Sequence, residues 1–369
     1  MTHQTSAIDP AVIPVVEPTA PFPGRKLVRS WLIPLCTKST LVPLLLLVLD
    51  FTLFFGTLAA TLWVDGWIAK VLWGMVAGFV IGRLFILGHD ACHQSLTPHR
   101  GLNRVLGRLA FLPSMTPYSL WDIGHNLVHH GQTNLKGFDF VWAPLSVAEF
   151  QALSPARQLL ERIYRSGWAP GLYYFLEMWW KRMFFPSKTY MGARRSVFLW
   201  DGLLVSAFGL LWVGLLAWAA SVTGEGLGIT LFAGFVVPFL FWNFMIGFVV
   251  YGHHTHTSVA WYDNKTEWMR AQPFVSTTVH LIFRFQVGAL MHHIMEHTAH
   301  HLDMGIPLYR LKEAQHFLEE HLPGRIIVQH FSWKWYFDTA RLCKLYDFQR
   351  KCWLDFNGNP TSTAMTQAT

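Results

Sequence analysis

Apolar positions in this chain fall into four long blocks, not at the three- or four-residue spacing of a soluble amphipathic helix. Leu41 to Val64 (LVPLLLLVLDFTLFFGTLAATLWV) and Ile68 to Leu87 are each long enough to cross a hydrocarbon core of about 30 Å at about 1.5 Å per residue. Only Asp65, Gly66 and Trp67 separate them. Gly202 to Val222 and Leu227 to Val250 repeat the arrangement across the turn Thr223-Gly224-Glu225-Gly226. The pattern predicts an all-α integral membrane protein with four transmembrane helices in two hairpins, at about 41–64, 68–87, 202–222 and 227–250. A further aromatic-rich stretch within residues 146–184 (GLYYFLEMWWKRMFF) carries Glu177, Lys181 and Arg182, and reads as an interfacial amphipathic helix in place of a fifth span.

Composition agrees with this reading. Apolar residues make up 52% and charged residues 14%, where a soluble domain carries about a quarter charged, so soluble, disordered and coiled-coil classes are excluded. Met1 to about Pro23 lacks a basic segment followed by an apolar one and a cleavage site, and is expected to be a disordered tail, not a signal peptide. The expected division is a disordered or interfacial segment over 1–40, a membrane domain over 41–345 and a C-terminal tail over 346–369. Of 29 Lys and Arg residues, 27 lie before the first span, between residues 89 and 200, or after residue 250. The positive-inside rule makes that side, with both termini, cytoplasmic, and points to a cytoplasmic (inner) membrane location. Lys70 and Arg83 are the exceptions. The four cysteines, Cys36, Cys92, Cys343 and Cys352, form no C-x-x-C pair, which argues against a disulfide framework or a cysteine-held metal. The net charge of +7 is read as contact with membrane and an acidic partner, not nucleic acid.

Nineteen histidines carry most of the functional information. His89 and His93 end the second span at positions i and i+4, on one helical face. His125, His129 and His130 lie in the central loop, where His130 points off the His125/His129 face unless the helix is irregular. His297, His300 and His301 follow the fourth span. A lone histidine is by default a solvated or hydrogen-bonded side chain, and His3, His99, His280, His316, His321 and His330 are read that way. Eight imidazoles on one side of a membrane are read as metal ligands. They exceed what one four- to six-coordinate ion needs, so two ions are implied. Zinc accepts imidazole but has no redox change, so two iron ions with O₂ as co-substrate are the preferred assignment, acting on a nearby alkyl chain.

These three boxes and the two-hairpin layout resemble the membrane fatty acid desaturase superfamily, most closely its Δ12/ω-3 acyl desaturase branch. His89-Asp90-x-x-His93 has the form of its first box. His254-Thr255-His256 followed by Trp261-Tyr262-Asp263 looks like its stretch after the fourth span, and His297-x-x-His300-His301 with Ile306-Pro307-Leu308-Tyr309 like its third box. The resemblance covers residues 40 to about 345. It implies a helical cytoplasmic cap holding a histidine-rich di-iron site that desaturates a fatty acyl chain in lipid metabolism. Of His253, His254 and His256, which leave the fourth span, the resemblance and the depth just past Val250 single out His254 as a ninth metal ligand, and His293, one turn before His297, is the reserve candidate. The second box departs from the branch by one residue of spacing, similar to alkane hydroxylases, so a hydroxylase or a terminal-alkene-forming decarboxylase on the same scaffold stays open. A histidine-rich metal transporter or sensor is a reading of another class, but it would place ionisable ligands within the spans.

Other polar residues offer weaker signals. Asp50 sits mid-span, where a carboxylate is costly, and needs a hydroxyl or a partner such as Asn243 from another span. Asp139 and Asp303 follow boxes two and three and are candidates to orient a ligand imidazole through its second nitrogen. No electron-carrier motif is present, so a separate donor (ferredoxin, rubredoxin or cytochrome) is expected. Arg100, Arg104, Arg108, Arg157, Arg162 and Arg165 form a candidate docking surface, if they are not simply the positive-inside bias.

Overall fold

Long apolar runs become long helices because a membrane offers the backbone no other hydrogen-bond partner. In the computed structural model, which describes residues 13–186 and 195–364, a short helix α1 (Arg25–Trp31) precedes α2 (Leu41–Trp63), α3 (Trp67–Cys92), α4 (Ser196–Thr223) and α5 (Leu227–His254). These four long helices are apolar enough to cross a membrane. The segment Tyr174–Phe184 is an eleven-residue π-helix, too short to be a fifth span. The chain divides into two units: a span unit (Ser39–Asn126, Ala169–Val249) and a polar unit (Met1–Lys38, Leu127–Trp168, Val250–Thr369).

Within the span unit, α2 and α4 leave leucines such as Leu45, Leu210 and Leu211 exposed, while α3 is buried over most of its length. Gly74 and Gly78 let α3 approach α5 closely. A Cβ at Gly74 would lie 2.3 Å from the Ala233 carbonyl oxygen, and one at Gly78 2.6 Å from that of Pro238. The two basic residues that break the positive-inside count are both neutralised. Arg83 Nη2 lies 2.7 Å from Asp50 Oδ1, and Lys70 Nζ 3.3 Å from Glu225 Oε1. The partner of Asp50 therefore comes from the second span. Asn243 instead donates to the carbonyl of Phe239 in its own helix.

The polar unit is built from short elements: α6 (Lys265–Ala271), α7 (His297–Leu302), α8 (Leu311–His321), and strands β1 (Val279–Ile282), β2 (Ile327–His330), β3 (Leu345–Asp347) and β4 (Cys352–Leu354). β1 and β2 pair in parallel, β3 and β4 antiparallel, so the helical expectation is qualified by two small sheets whose strands are too short to show a two-residue period. β3 and β4 bury Leu345, Cys352 and Leu354 against Phe150, so folded chain continues past residue 345, where the tail was expected to begin. The first twelve residues of the expected N-terminal tail lie outside the described residues. After them, α1 buries Val28 and Trp31, with Leu32 just beyond it, and Arg325 Nη2 donates to the carbonyls of Glu17 and Ala20. This segment is thus packed, because three apolar side chains at helical spacing have a core to enter. Gln315 of α8 accepts from the Ala299 amide and holds α7 in place.

Candidate metal centre

The span unit supplies three imidazoles. On α3, His89 and His93 are one turn apart, with their Nε2 atoms at 3.3 Å. His125 brings its Nε2 to 3.0 Å from that of His89. It is carried by a π-helical turn, Ile123–His129, a rare geometry that concentrates at functional sites. Two contacts place it: Trp121 stacks on its ring at a centroid distance of 4.0 Å, and Asn126 donates to the Cys92 carbonyl at 3.0 Å. His89 is buried, whereas His93 and His125 are half-buried.

The polar unit gathers four. His129, His254, His297 and His301 each bring one ring nitrogen within 4.8 Å of the others, and all four are buried. The Nε2 atoms of His254 and His297 are 3.1 Å apart. Two of the rings have a fixed tautomer. His129 Nδ1–H donates to Asp139 at 3.0 Å, and Asp139 is itself held by the amides of Asn134 and Val141. The Thr133 hydroxyl donates to the His129 carbonyl at 2.7 Å, so toward His301 Nδ1, at 3.3 Å, it accepts. The lone pair of His301 is thereby left on Nε2, which is buried with no hydrogen-bond partner. Beside this group, the Nε2 atoms of His130 and His300 are 3.1 Å apart.

Burial, and then the neighbouring imidazoles, hold His297 and His301 well below the ordinary histidine pKa, and the same causes push His300 down to about 3. These rings are neutral at physiological pH, and neutral imidazoles with inward lone pairs fit a divalent cation. Among the described residues, no cysteine or carboxylate belongs to either group.

Sequence and structure differ in detail here. The second box is divided between His125 and His129, which the i, i+4 pattern had placed on one face. The segment is a π-helical turn where that pattern assumed an α-helix, so the angle between successive side chains differs from the expected one. His254 stands in the four-histidine group, while His256 accepts from the Ser258 amide and His293 pairs with Glu296 at 3.1 Å. Asp139 meets a box imidazole, that of His129, through its second nitrogen. Asp303 instead pairs with Arg29 at 3.1 Å. Sequence reasoning missed Thr133, and it weighed His253, which is fully buried and stacks on His297 at 3.9 Å, only as an alternative to His254. Adjacency to box residues was their only signal. Of the six arginines proposed for a docking surface, Arg108 pairs with Asp201 at 2.7 Å, Arg157 with Glu161 at 2.7 Å, and Arg165 is buried.

Comparison with known proteins decides the family. The model for fatty acid desaturase matches residues 65–333. The chain belongs to the fatty acid desaturase family. It is 28% identical over 279 residues to an sn-1 oleoyl-lipid 12-desaturase of Picosynechococcus, covering 74% of this chain and 75% of that one. To a chloroplastic omega-6 fatty acid desaturase of Glycine max it is 26% identical, over 74% of this chain and 62% of the other. An sn-1 acyl-lipid omega-3 desaturase (ferredoxin) of Nostoc is 28% identical, over 69% of each chain. This desaturase-family protein is therefore a membrane oxidoreductase of lipid metabolism that uses iron.

Proposed function

We propose that this desaturase inserts one double bond into a fatty acyl chain, with O₂ as oxidant and two irons held by His89, His93, His125, His129, His130, His254, His297, His300 and His301. The overall reaction converts –CH₂–CH₂– with O₂, two electrons and two protons into –CH=CH– and two waters. Iron supplies the redox change that removal of two unactivated hydrogens requires. The protein's part is to hold His129 and His301 in one tautomer, through Asp139 and Thr133, and to keep His297, His300 and His301 neutral by burial. The observation that carries the reading is the buried four-histidine group, which joins one histidine of the second box and two of the third to His254 after the fourth span. Methylenes offer no polar handle, so positioning of the chain must select the carbon.

Electrons come in this reading from a separate small carrier; the Nostoc relative is named for ferredoxin. Both hairpin turns face away from the cytoplasm, and the polar unit serves as the cytoplasmic cap of an inner-membrane protein. Reporter fusions at Gly66 and Glu225 should then read opposite to one at the C-terminus, and a shared compartment refutes the topology. Membranes supplied with O₂, a reducing system and acyl substrates should yield a product two mass units lighter than its substrate. A product sixteen units heavier would make the enzyme a hydroxylase, and loss of the carboxyl carbon an alkene-forming decarboxylase.

A further inference from the structure

A cavity of about 310 Å³ opens beside two of the histidines just described. Its wall includes His130 and His301 on one side and Trp268, Met269 and Phe274 on another, and all of its lining residues belong to the polar unit. Among the described residues one cation lines it: Arg25 of α1, which lies before the stretch matched by the family model. Arg25 Nη2 donates to the His301 carbonyl at 3.2 Å, while its Nε is buried without a hydrogen-bond partner. Asp303, the carboxylate that acts on Arg25 from a distance, is engaged by Arg29. Among the described residues, no carboxylate is recorded within ion-pair distance of Arg25.

A partly buried guanidinium against aromatic walls is costly unless its N–H groups are satisfied, and its planar fork matches an oxyanion in geometry and charge. A fatty acyl chain ends in a carboxylate when free, and shares its molecule with a phosphate when it is carried on a phospholipid. We propose that this cavity receives the oxyanion end of the substrate, that Arg25 binds that oxyanion, and that the span from Arg25 to the histidines sets which methylenes react. Arg25 is a positioning residue: it selects the carbon by fixing the far end of the chain. The inference rests on the desaturase reading.

Binding is measured first, by calorimetry on the purified iron-loaded protein in detergent without O₂, so that turnover plays no part. The probes are stearate, lysophosphatidic acid and methyl stearate. The parent should bind at least one anionic probe about tenfold more tightly than the ester, the scale of one hydrogen bond to a charged group, and the probe that gains identifies carboxylate or phosphate as the source. Arg25→Gln should lose that preference with iron content kept, Arg25→Lys should retain most of it, and the control Lys26→Gln, an exposed neighbour, should match the parent. In turnover assays Arg25→Gln should raise KM for the anionic substrate, leave kcat, and scatter the double bond over neighbouring positions. Equal weakening for the ester and the anions would make Arg25 a cap on the His301 carbonyl and overturn the proposal, as would an unchanged preference in Arg25→Gln. Anion-selective binding by a parent that desaturates nothing would instead sink the desaturase reading and leave the oxyanion site standing.

Discussion

The three histidines of the span unit and the four of the polar unit solve one problem by different means. His89 and His93 are placed by the period of a single helix, and His125 by a stacked tryptophan; two of the three keep some exposure. His129, His254, His297 and His301 come from distant parts of the sequence and are all buried, and two of the rings, His129 and His301, are oriented by Asp139 and Thr133. A site drawn from one helix inherits its geometry from backbone hydrogen bonds. A site drawn from separate segments has no such frame and relies on outer hydrogen bonds to orient its rings. The second kind should depend more on residues that touch no metal.

The largest effects should come from the ligands. Ala at His89, His93, His254, His297 or His301 should leave membrane levels normal and cut turnover at least a thousandfold, on the order of removing an essential catalytic group. If the two groups are separate sites, each variant should lose about one iron of two. Loss of both irons from a single substitution would merge them and break the comparison. His256→Ala should keep iron and activity, and a loss there equal to that of His254→Ala would move the ninth ligand.

Next in size is Asp139→Asn, which removes the anchor of His129 and should weaken iron retention about 10- to 100-fold. Trp121→Leu, the matching change beside His125, should cost clearly less, read by iron content after chelator challenge. Equal losses would erase the distinction between the two groups. Thr133→Val should cost His301 one neutral hydrogen bond, worth about 1 kcal/mol or roughly fivefold in iron affinity. The smallest effect belongs to Asp303→Asn. Its pair with half-exposed Arg29 is worth no more than about 1 kcal/mol in thermal unfolding, and iron should stay at the parental level. Iron loss on the scale of Asp139→Asn would give Asp303 the orienting role now assigned to Asp139 alone.

The sequence by itself determined the four apolar helices, the three boxes and the type of chemistry, because each rests on local rules: the length of an apolar run, a four-residue helical repeat, and the identity of a ligand side chain. It also pointed to His254 and Asp139 through position along the chain. Other features were settled only by the tertiary structure. The second box lies on a π-helical turn and not an α-helix, Arg83 and not Asn243 answers Asp50, Asp303 turns to Arg29, and α1 packs into the polar unit and brings Arg25 to the cavity. Each of these depends on which groups meet after the chain has folded back over tens or hundreds of residues. The energy of such a meeting, whether an ion pair in a dry interior or an imidazole against a carboxylate, has no counterpart in the spacing of neighbouring residues.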